Sequence, residues 1–308
     1  MDSDLNRRHL LRGLVAAGAV TIPAVSYAQT KQLKEPVYRV SKAKLEKEKG
    51  APHALDPALD MAHRRLKYMR DEIKDYACTM VKRELVNGKL GDREYMFAKV
   101  RNRKVVNGKL VTPFSIYMYF LKPKAFTGRE CIFVEGQNDG KLLAHEAPHT
   151  LLYKTLGTVR LQPNGAVAMR GQRYPITDAG IENLLIKLIE RGNQDRKRGP
   201  CEVKQRTATL NGRKCDVIQV RHPKRDKDYD FYLARIFMDK ELQIPVRYAA
   251  YDWPAPGRKV GTVIEEYTYT DLKLNVGLQD SDFDHKNPQY LFVRKKRGDR
   301  KRVSRRPR

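Results

Sequence analysis

Five two-residue turn signals limit the fold of this chain more than any other feature. They are Asn87-Gly88, Asn107-Gly108, Asp139-Gly140, Asn164-Gly165 and Asn211-Gly212. Such pairs accept the positive φ of a tight hairpin, whose twist matches the strands it joins. Strands joined so closely must pair antiparallel, because a parallel neighbour needs a crossover of about a dozen residues or more. The flanking runs between 76 and 274, 166–170 among them, read as about eleven strands. The pentapeptide VNGKL occurs at 86–90 and at 106–110 with no wider repeat, so one turn chemistry is reused. The fold class expected is α+β, mainly β: one large curved antiparallel sheet.

Two helices interrupt this pattern. Asp56-Pro57 supplies an N-cap with proline at the first helical position, and Leu59, Ala62, Leu66, Met69 and Ile73 follow at helical spacing to about residue 75. A second helix spans 178–191, capped by Thr177 or Asp178 and followed by Gly192. Its stripe of Ile181, Leu184, Leu185, Leu188 and Ile189 is broader than simple docking needs. The runs FSIYMYFL at 114–121 and YDFYLARIFM at 229–238 are apolar on both faces, so they need cover on both sides. A fully packed core satisfies this, and so does an apolar cavity between the sheet and helices lying over its concave face. The cavity reading selects Phe114, Met118, Phe120, Leu184, Leu188, Phe231 and Phe237.

Charge then has to be placed. The chain carries 62 Lys and Arg against 36 Asp and Glu, a net +26, which by itself suggests a nucleic acid or another polyanion. Residues 1–28 read as a twin-arginine-type signal peptide. Arg7-Arg8 is followed by an apolar run from Leu14 to Val25 and a small-x-small site, with cleavage expected between Ala28 and Gln29. An uncleaved N-terminal anchor is the alternative. The excess divides into +1 for the signal, +16 for the body to residue 293, and +9 for the last fifteen residues. An export signal places the chain in the periplasm or cell envelope, soluble once the signal is removed, and argues against nucleic acid. Residues 29–54 read as a linker, 55–285 as one domain, and 286–308 as a disordered basic tail too poor in apolar residues to fold. Within that tail Arg294, Lys295, Lys296, Arg297, Arg300, Lys301 and Arg302 are the candidate polyanion contacts.

No catalytic residue is nominated, and neither metal nor cofactor is expected. His145-Glu146-Ala147-Pro148-His149 has the zinc-protease spacing, but Pro148 removes an N–H and clashes within the turn of helix that such a site requires. A non-helical site on His145 and His149 stays open. The cysteines, Cys78, Cys131, Cys201 and Cys215, form no CxxC. A regular hairpin about Asn211-Gly212 pairs 208 with 215 and 201 with 222, which holds Cys201 and Cys215 about 20 Å apart, beyond bridging; a bulge would be needed to join them. Glu265-Glu266 point to opposite faces of a strand and read as ordinary solvated composition.

Four strings carry a family likeness. YACTMVKRE at 76–84, FTGRECIFVEGQNDGKLLAHE at 126–146, ARIFMDKELQIPVRYAAYDWP at 234–254 and EEYTYTDLKLNVGLQDSDFD at 265–284 resemble an exported family of planctomycete-type bacteria known as a domain of unknown function. The likeness spans about 55–285. That family is distantly similar to lipoprotein-carrier and outer-membrane lipoprotein-sorting proteins. The resemblance implies an incomplete antiparallel barrel holding helices over an apolar cavity, and it implies no catalytic residues. The expectation is thus a non-enzymatic exported protein that binds a lipid, acyl chain or lipoprotein. The alternative is an envelope scaffold attached to anionic lipid or polysaccharide through its basic tail.

Overall fold

Asn87, Asn107 and Asn211 adopt φ of 50°, 52° and 48°, and the glycine after each lies between 74° and 84°. Both central residues of these turns are therefore left-handed, the geometry that reverses a strand in two residues. The computed structural model describes residues 38–40, 53–226 and 228–292. In chain order the elements are β1 (Tyr38–Val40), α1 (Asp56–Glu72), β2 (Asp75–Val86), β3 (Lys89–Leu90), β4 (Glu94–Arg101), β5 (Lys104–Val106), β6 (Lys109–Thr112) and β7 (Ser115–Lys122). They continue with β8 (Glu130–Val134), β9 (Leu142–His145), α2 (Leu151–Leu156), β10 (Val159–Leu161) and α3 (Ile181–Arg198). The last are β11 (Glu202–Leu210), β12 (Arg213–Arg221), β13 (Leu233–Asp239), β14 (Pro245–Tyr251) and β15 (Val263–Leu274).

One sheet runs in the order β1-β11-β12-β13-β14-β15-β2-β4-β7-β8-β9-β10, with β3 beside β2, and β5-β6 forms a separate two-stranded ribbon. Every pairing is antiparallel, and the end strands β1 and β10 do not meet. The sheet is antiparallel, as its turn chemistry predicts, and it is an unclosed barrel, as the family resemblance implies. The long strands β15 and β2 join the two halves of the chain, setting Tyr267 opposite Lys82. Register shifts at Ala250/Tyr251 and Thr270/Lys273 fall beside this seam, where bulges bend a sheet.

The fifteen strands among the described residues exceed the expected eleven because short ones escape a pattern search. β1 lies within the expected linker, β3 has two residues, and β5-β6 flanks Asn107-Gly108. The expected strand at 166–170 is a series of turns, and α2 is an unforeseen third helix. The start of α3 moves from 178 to 181, because the buried Tyr76 hydroxyl accepts the Ile181 N–H at 2.8 Å and so performs the capping. Its end moves from 191 to 198. Gly192 lies inside the helix, where a Cβ would stand 2.7 Å from Leu59 Cδ2; the glycine lets α1 and α3 approach.

The two faces of the sheet are covered differently. On the concave side lie α1, α3 and the loop 162–180, packed on Met69, Tyr76, Met96, Ile116 and Leu185 at one end and on Leu59, Ile218, Ile236 and Tyr248 at the other. Part of the outer face is covered by the chain after β15, whose Leu278, Phe283, Tyr290 and Phe292 pack on Tyr117, Ile132 and Leu143. Residues 286–292 were expected to begin the tail, yet Tyr290 stacks on Tyr117 at 4.0 Å and both Tyr290 and Phe292 are buried. Two aromatics seven or fewer residues past the expected boundary were enough to hold that segment on the sheet.

Candidate ligand cavity

Between the concave face and its helical cover lies a cavity of about 680 Å³, within the range of about 300–1,000 Å³ usual for small-molecule sites. Alternation along the strands decides what lines it. In β7, Met118 and Phe120 face inward while Tyr117, Tyr119 and Leu121 belong to clusters on the outer face. Leu142 and Ala144 of β9 and Ala234 and Ile236 of β13 extend the apolar floor, and Leu184 and Leu188 of α3 form part of the roof. At the rim, Leu152, Leu156 and Val167 are 53%, 61% and 62% exposed, so the opening is itself apolar.

Of the seven residues selected from sequence, Met118, Phe120, Leu184, Leu188 and Phe231 line this cavity. Phe237 does not. Its neighbours Ile236 and Met238 take the concave side, and the pleat turns Phe237 into a separate core with Cys215, Val217 and Val246. Phe114 precedes β7 and lies past the end of the cavity, where the start of α3 closes over it; it lines a separate hollow with Arg103 and Glu135. Ala28, Gln29, Arg294, Lys295, Lys296, Arg297, Arg300, Lys301 and Arg302 lie outside the described residues.

The floor also carries a polar patch that sequence reasoning missed. Lys82 and Glu84 of β2 and Glu265 and Tyr267 of β15 line the cavity, and the first three are 6%, 8% and 6% exposed. Lys82 Nζ lies 3.4 Å from Glu84 and 3.5 Å from Glu94 of the adjoining strand, and donates to Gln172. Tyr267 donates to Glu84 at 2.5 Å. Arg173, from the covering loop, contacts Glu265 at 3.2 Å and the Leu85 carbonyl at 3.0 Å. Burial holds the Glu265 carboxyl above the usual carboxylate range, with Arg173 acting in opposition. The expected solvated pair Glu265-Glu266 is thus buried on both sides. Glu266 faces outward, where Arg247 at 2.6 Å and Arg93 at 3.0 Å hold it. Alternation correctly put the two on opposite faces; the loop 162–180 and Arg247 supplied cover that a local pattern does not reveal.

A second buried polar pair closes the other end. His222 Nδ1 donates to the Phe231 carbonyl at 3.1 Å, and its Nε2 lies 3.5 Å from Asp195, which lines the cavity. Burial lowers the His222 imidazole and raises the Asp195 carboxyl, which favours the uncharged forms of both.

The zinc-like spacing at 145–149 is not a helix. His145 ends β9, and turns follow. Its Nε2 lies 2.9 Å from Glu130 and its Nδ1 2.7 Å from the Glu146 carbonyl, so both ring nitrogens are occupied by oxygen acceptors. Among the described residues no group of three or more His, Cys, Asp or Glu side chains is arranged to hold a metal ion. All four cysteines are free, and Ala208 pairs with Cys215 in an unbroken ladder, the register that keeps Cys201 and Cys215 apart. No described helix is long and apolar enough to cross a membrane.

Residues 73–292 match the family described as a protein of unknown function, DUF1571. The chain belongs to that family. No curated protein sequence matches it. Among solved structures it is similar to a DUF1329 family protein from Desulfovibrio piger, at 13% identity and a TM-score of 0.36, over 75% of this chain and 97% of that one. A putative outer membrane lipoprotein-sorting protein domain from Vibrio parahaemolyticus has 14% identity and a TM-score of 0.34, over 73% and 95%. A LolA superfamily protein from Nitrosomonas europaea has 9% identity and a TM-score of 0.30, over 73% and 97%.

Proposed function

We propose that this chain is an exported, non-enzymatic binding protein that shelters an acyl chain or a similar apolar ligand in the cavity between sheet and helices. The observation that carries this reading is the cavity itself, a space of about 680 Å³ with a mainly apolar lining in a chain that covers part of the opposite face with its own residues. Burying an acyl chain there is favoured by about 0.8 kcal/mol for each methylene removed from water. Fluorescent fatty acid added to delipidated protein is expected to bind with saturation, and Leu184→Arg, which puts a charge in the roof, to weaken it at least about tenfold, or 1.4 kcal/mol. Absence of saturable binding by the parent protein overturns the reading. Mass spectrometry of protein purified from its own envelope would name the occupant.

One observation favours a second role for the basic tail. The Tyr153 hydroxyl of α2 donates to the Leu291 carbonyl at 3.1 Å, so the last described residues lie against the helix that supplies Leu152 and Leu156 to the rim. Ten basic residues follow from 294 onward. Attachment of this tail to an anionic lipid or polysaccharide would bring such a surface to the opening. Binding to anionic vesicles should then fall steeply with salt and vanish on deletion of 294–308; salt-insensitive binding would exclude it.

A further inference from the structure

An apolar pocket does not need Lys82, Glu84 and Glu265 in its floor, with Glu94 behind them and Arg173 over them. A well-packed apolar cluster would be at least as stable as a buried ion network. Few and fixed polar groups in an otherwise apolar cavity are the usual means of orienting a ligand.

Its cations are already engaged. Lys82 Nζ sits between Glu84 and Glu94 and donates to Gln172, while Arg173 divides its guanidinium between Glu265 and the Leu85 carbonyl. An anionic group would have to displace a carboxylate to reach either. The acceptors are less well served. Glu265 is contacted by Arg173, Tyr267 and Tyr174 at 3.2, 3.3 and 3.4 Å, all longer than the 2.7–2.9 Å of a well-made charge-assisted bond, and it also accepts from the Tyr248 hydroxyl. Glu94 Oε2 is buried with no hydrogen-bond partner among the described residues. Counted formally, Lys82 and Arg173 leave one carboxylate of Glu84, Glu94 and Glu265 unbalanced.

Aromatic rings stand around the same carboxylate. Tyr248 and Tyr267 are paired across strands, their rings near parallel at 6.5 Å, and Tyr174 of the covering loop is tilted against Tyr267 at 6.5 Å. All three tyrosines line the cavity with Glu265. Ring faces beside a carboxylate attract an ammonium ion, most strongly where water is excluded. On the neighbouring strand position the same chain shows what a satisfied glutamate looks like, since Glu266 holds Arg247 at 2.6 Å.

We propose that Glu265, with Tyr174, Tyr248 and Tyr267, forms a head-group site for a cationic ammonium, so that the cavity takes an amphiphile with an alkylammonium end. This rests on the apolar-ligand reading above and adds the head-group chemistry to it. The ammonium lies against Glu265 and the rings, and its chain runs along the floor past Met118 and Phe120.

The test compares dodecyltrimethylammonium, dodecylamine, dodecanol and dodecanoate, each below its micellar concentration, as displacers of a fluorescent fatty-acid analogue from the full chain. The two ammonium probes should bind at least about tenfold more tightly than dodecanol, and dodecanoate no better than dodecanol. Glu265→Gln should remove that preference. Tyr174 is 36% exposed and its ring also faces Lys187 at 5.1 Å and Arg173 at 5.9 Å, so Tyr174→Leu is the milder variant and should reduce the preference even if Glu265→Gln fails to fold. Tetramethylammonium, which has no chain, should not compete; tight binding of that ion would make this a small-cation site and overturn the amphiphile. Equal binding of all four dodecyl probes, or a preference for dodecanoate, overturns the head-group site and leaves the apolar cavity standing. If no dodecyl probe binds, both fall.

Discussion

The two faces of β7 have nearly the same composition and opposite fates. Outward, Tyr117 and Tyr119 meet Ile132, Val134, Tyr290 and Phe292, and the chain's own segment after β15 fills the space. Inward, Met118 and Phe120 meet a helical cover that leaves about 680 Å³ between itself and the floor. The polar groups repeat the contrast. On the outer side Glu130 accepts from Tyr117 at 2.8 Å, from the Leu291 and Phe292 amides at 2.9 and 3.2 Å, and faces His145 at 2.9 Å. On the inner side Glu265 meets Arg173, Tyr267 and Tyr174 at 3.2, 3.3 and 3.4 Å. Apolarity on both faces of a strand therefore says that both are covered and leaves open whether both are filled.

The packed face should break most expensively. Glu130 is 1% exposed and latches the segment carrying Tyr290 and Phe292. Replacing it with alanine strands a buried histidine and two amides, so Glu130→Ala is expected to cost about 3–5 kcal/mol in urea unfolding. A loss below about 1 kcal/mol would mean that this face is no better fastened than an exposed ion pair.

A closer comparison uses adjacent leucines. Leu142 and Leu143 are each 4% exposed in the same strand, but Leu143 packs in the outer cluster and Leu142 borders the cavity. Truncating a leucine in a filled core costs about 2–5 kcal/mol, part of it for the hole left behind. Leu142 already lacks neighbours on one side, so Leu142→Ala should cost about 1–2 kcal/mol less than Leu143→Ala. Equal losses would indicate that the cavity collapses around its lining.

How much of this could be read from the sequence follows from the range of each signal. The antiparallel class was legible because Asn-Gly turns act over two residues, and the hairpin register 208 to 215 was fixed by one of them. Which residues face inward was legible only where polar residues marked the alternation. In β13 Arg235 and Asp239 mark the outer face that Phe237 shares, a sign that its apolar neighbours obscured, whereas Phe231 precedes the strand and lies outside its alternation. The polar patch escaped altogether. Lys82 and Glu265 are separated by 183 positions and meet only because β15 pairs with β2, and the loop that covers them carries no local sign of where it lies. Tyr76 acting as the cap of α3 is of the same kind.

Smaller effects follow from titration. The folded Glu265 carboxyl holds its proton more tightly than the unfolded one, so its contribution is favourable at low pH. Stability should fall as pH rises from the unfolded carboxylate value through the raised folded one, by about 1.4 kcal/mol per unit of difference. Glu265→Gln removes this dependence, and its stability relative to the parent should rise with pH across that window. A difference that does not change with pH would mean that Arg173 and the tyrosines fully compensate for burial.

The least perturbing comparison of the two faces uses the thiols. Burial raises Cys131 to about 12 and Cys215 to about 11, so thiolate chemistry alone makes Cys215 the more reactive. Access opposes this. Cys131 is partly exposed and borders the cavity, whereas Cys215 is 0% exposed in the core with Phe237. One pKa unit is worth about tenfold, or 1.36 kcal/mol, while reaching a fully buried core residue requires opening that approaches the global stability of about 5–15 kcal/mol. Access should decide the order. Mass-resolved alkylation at pH 9 should modify Cys131 well before Cys215, and a bound fatty acid should slow Cys131 while leaving Cys215 unchanged. Faster labelling of Cys215 would show that the face filled by the chain's own residues opens more readily than the one left with a cavity.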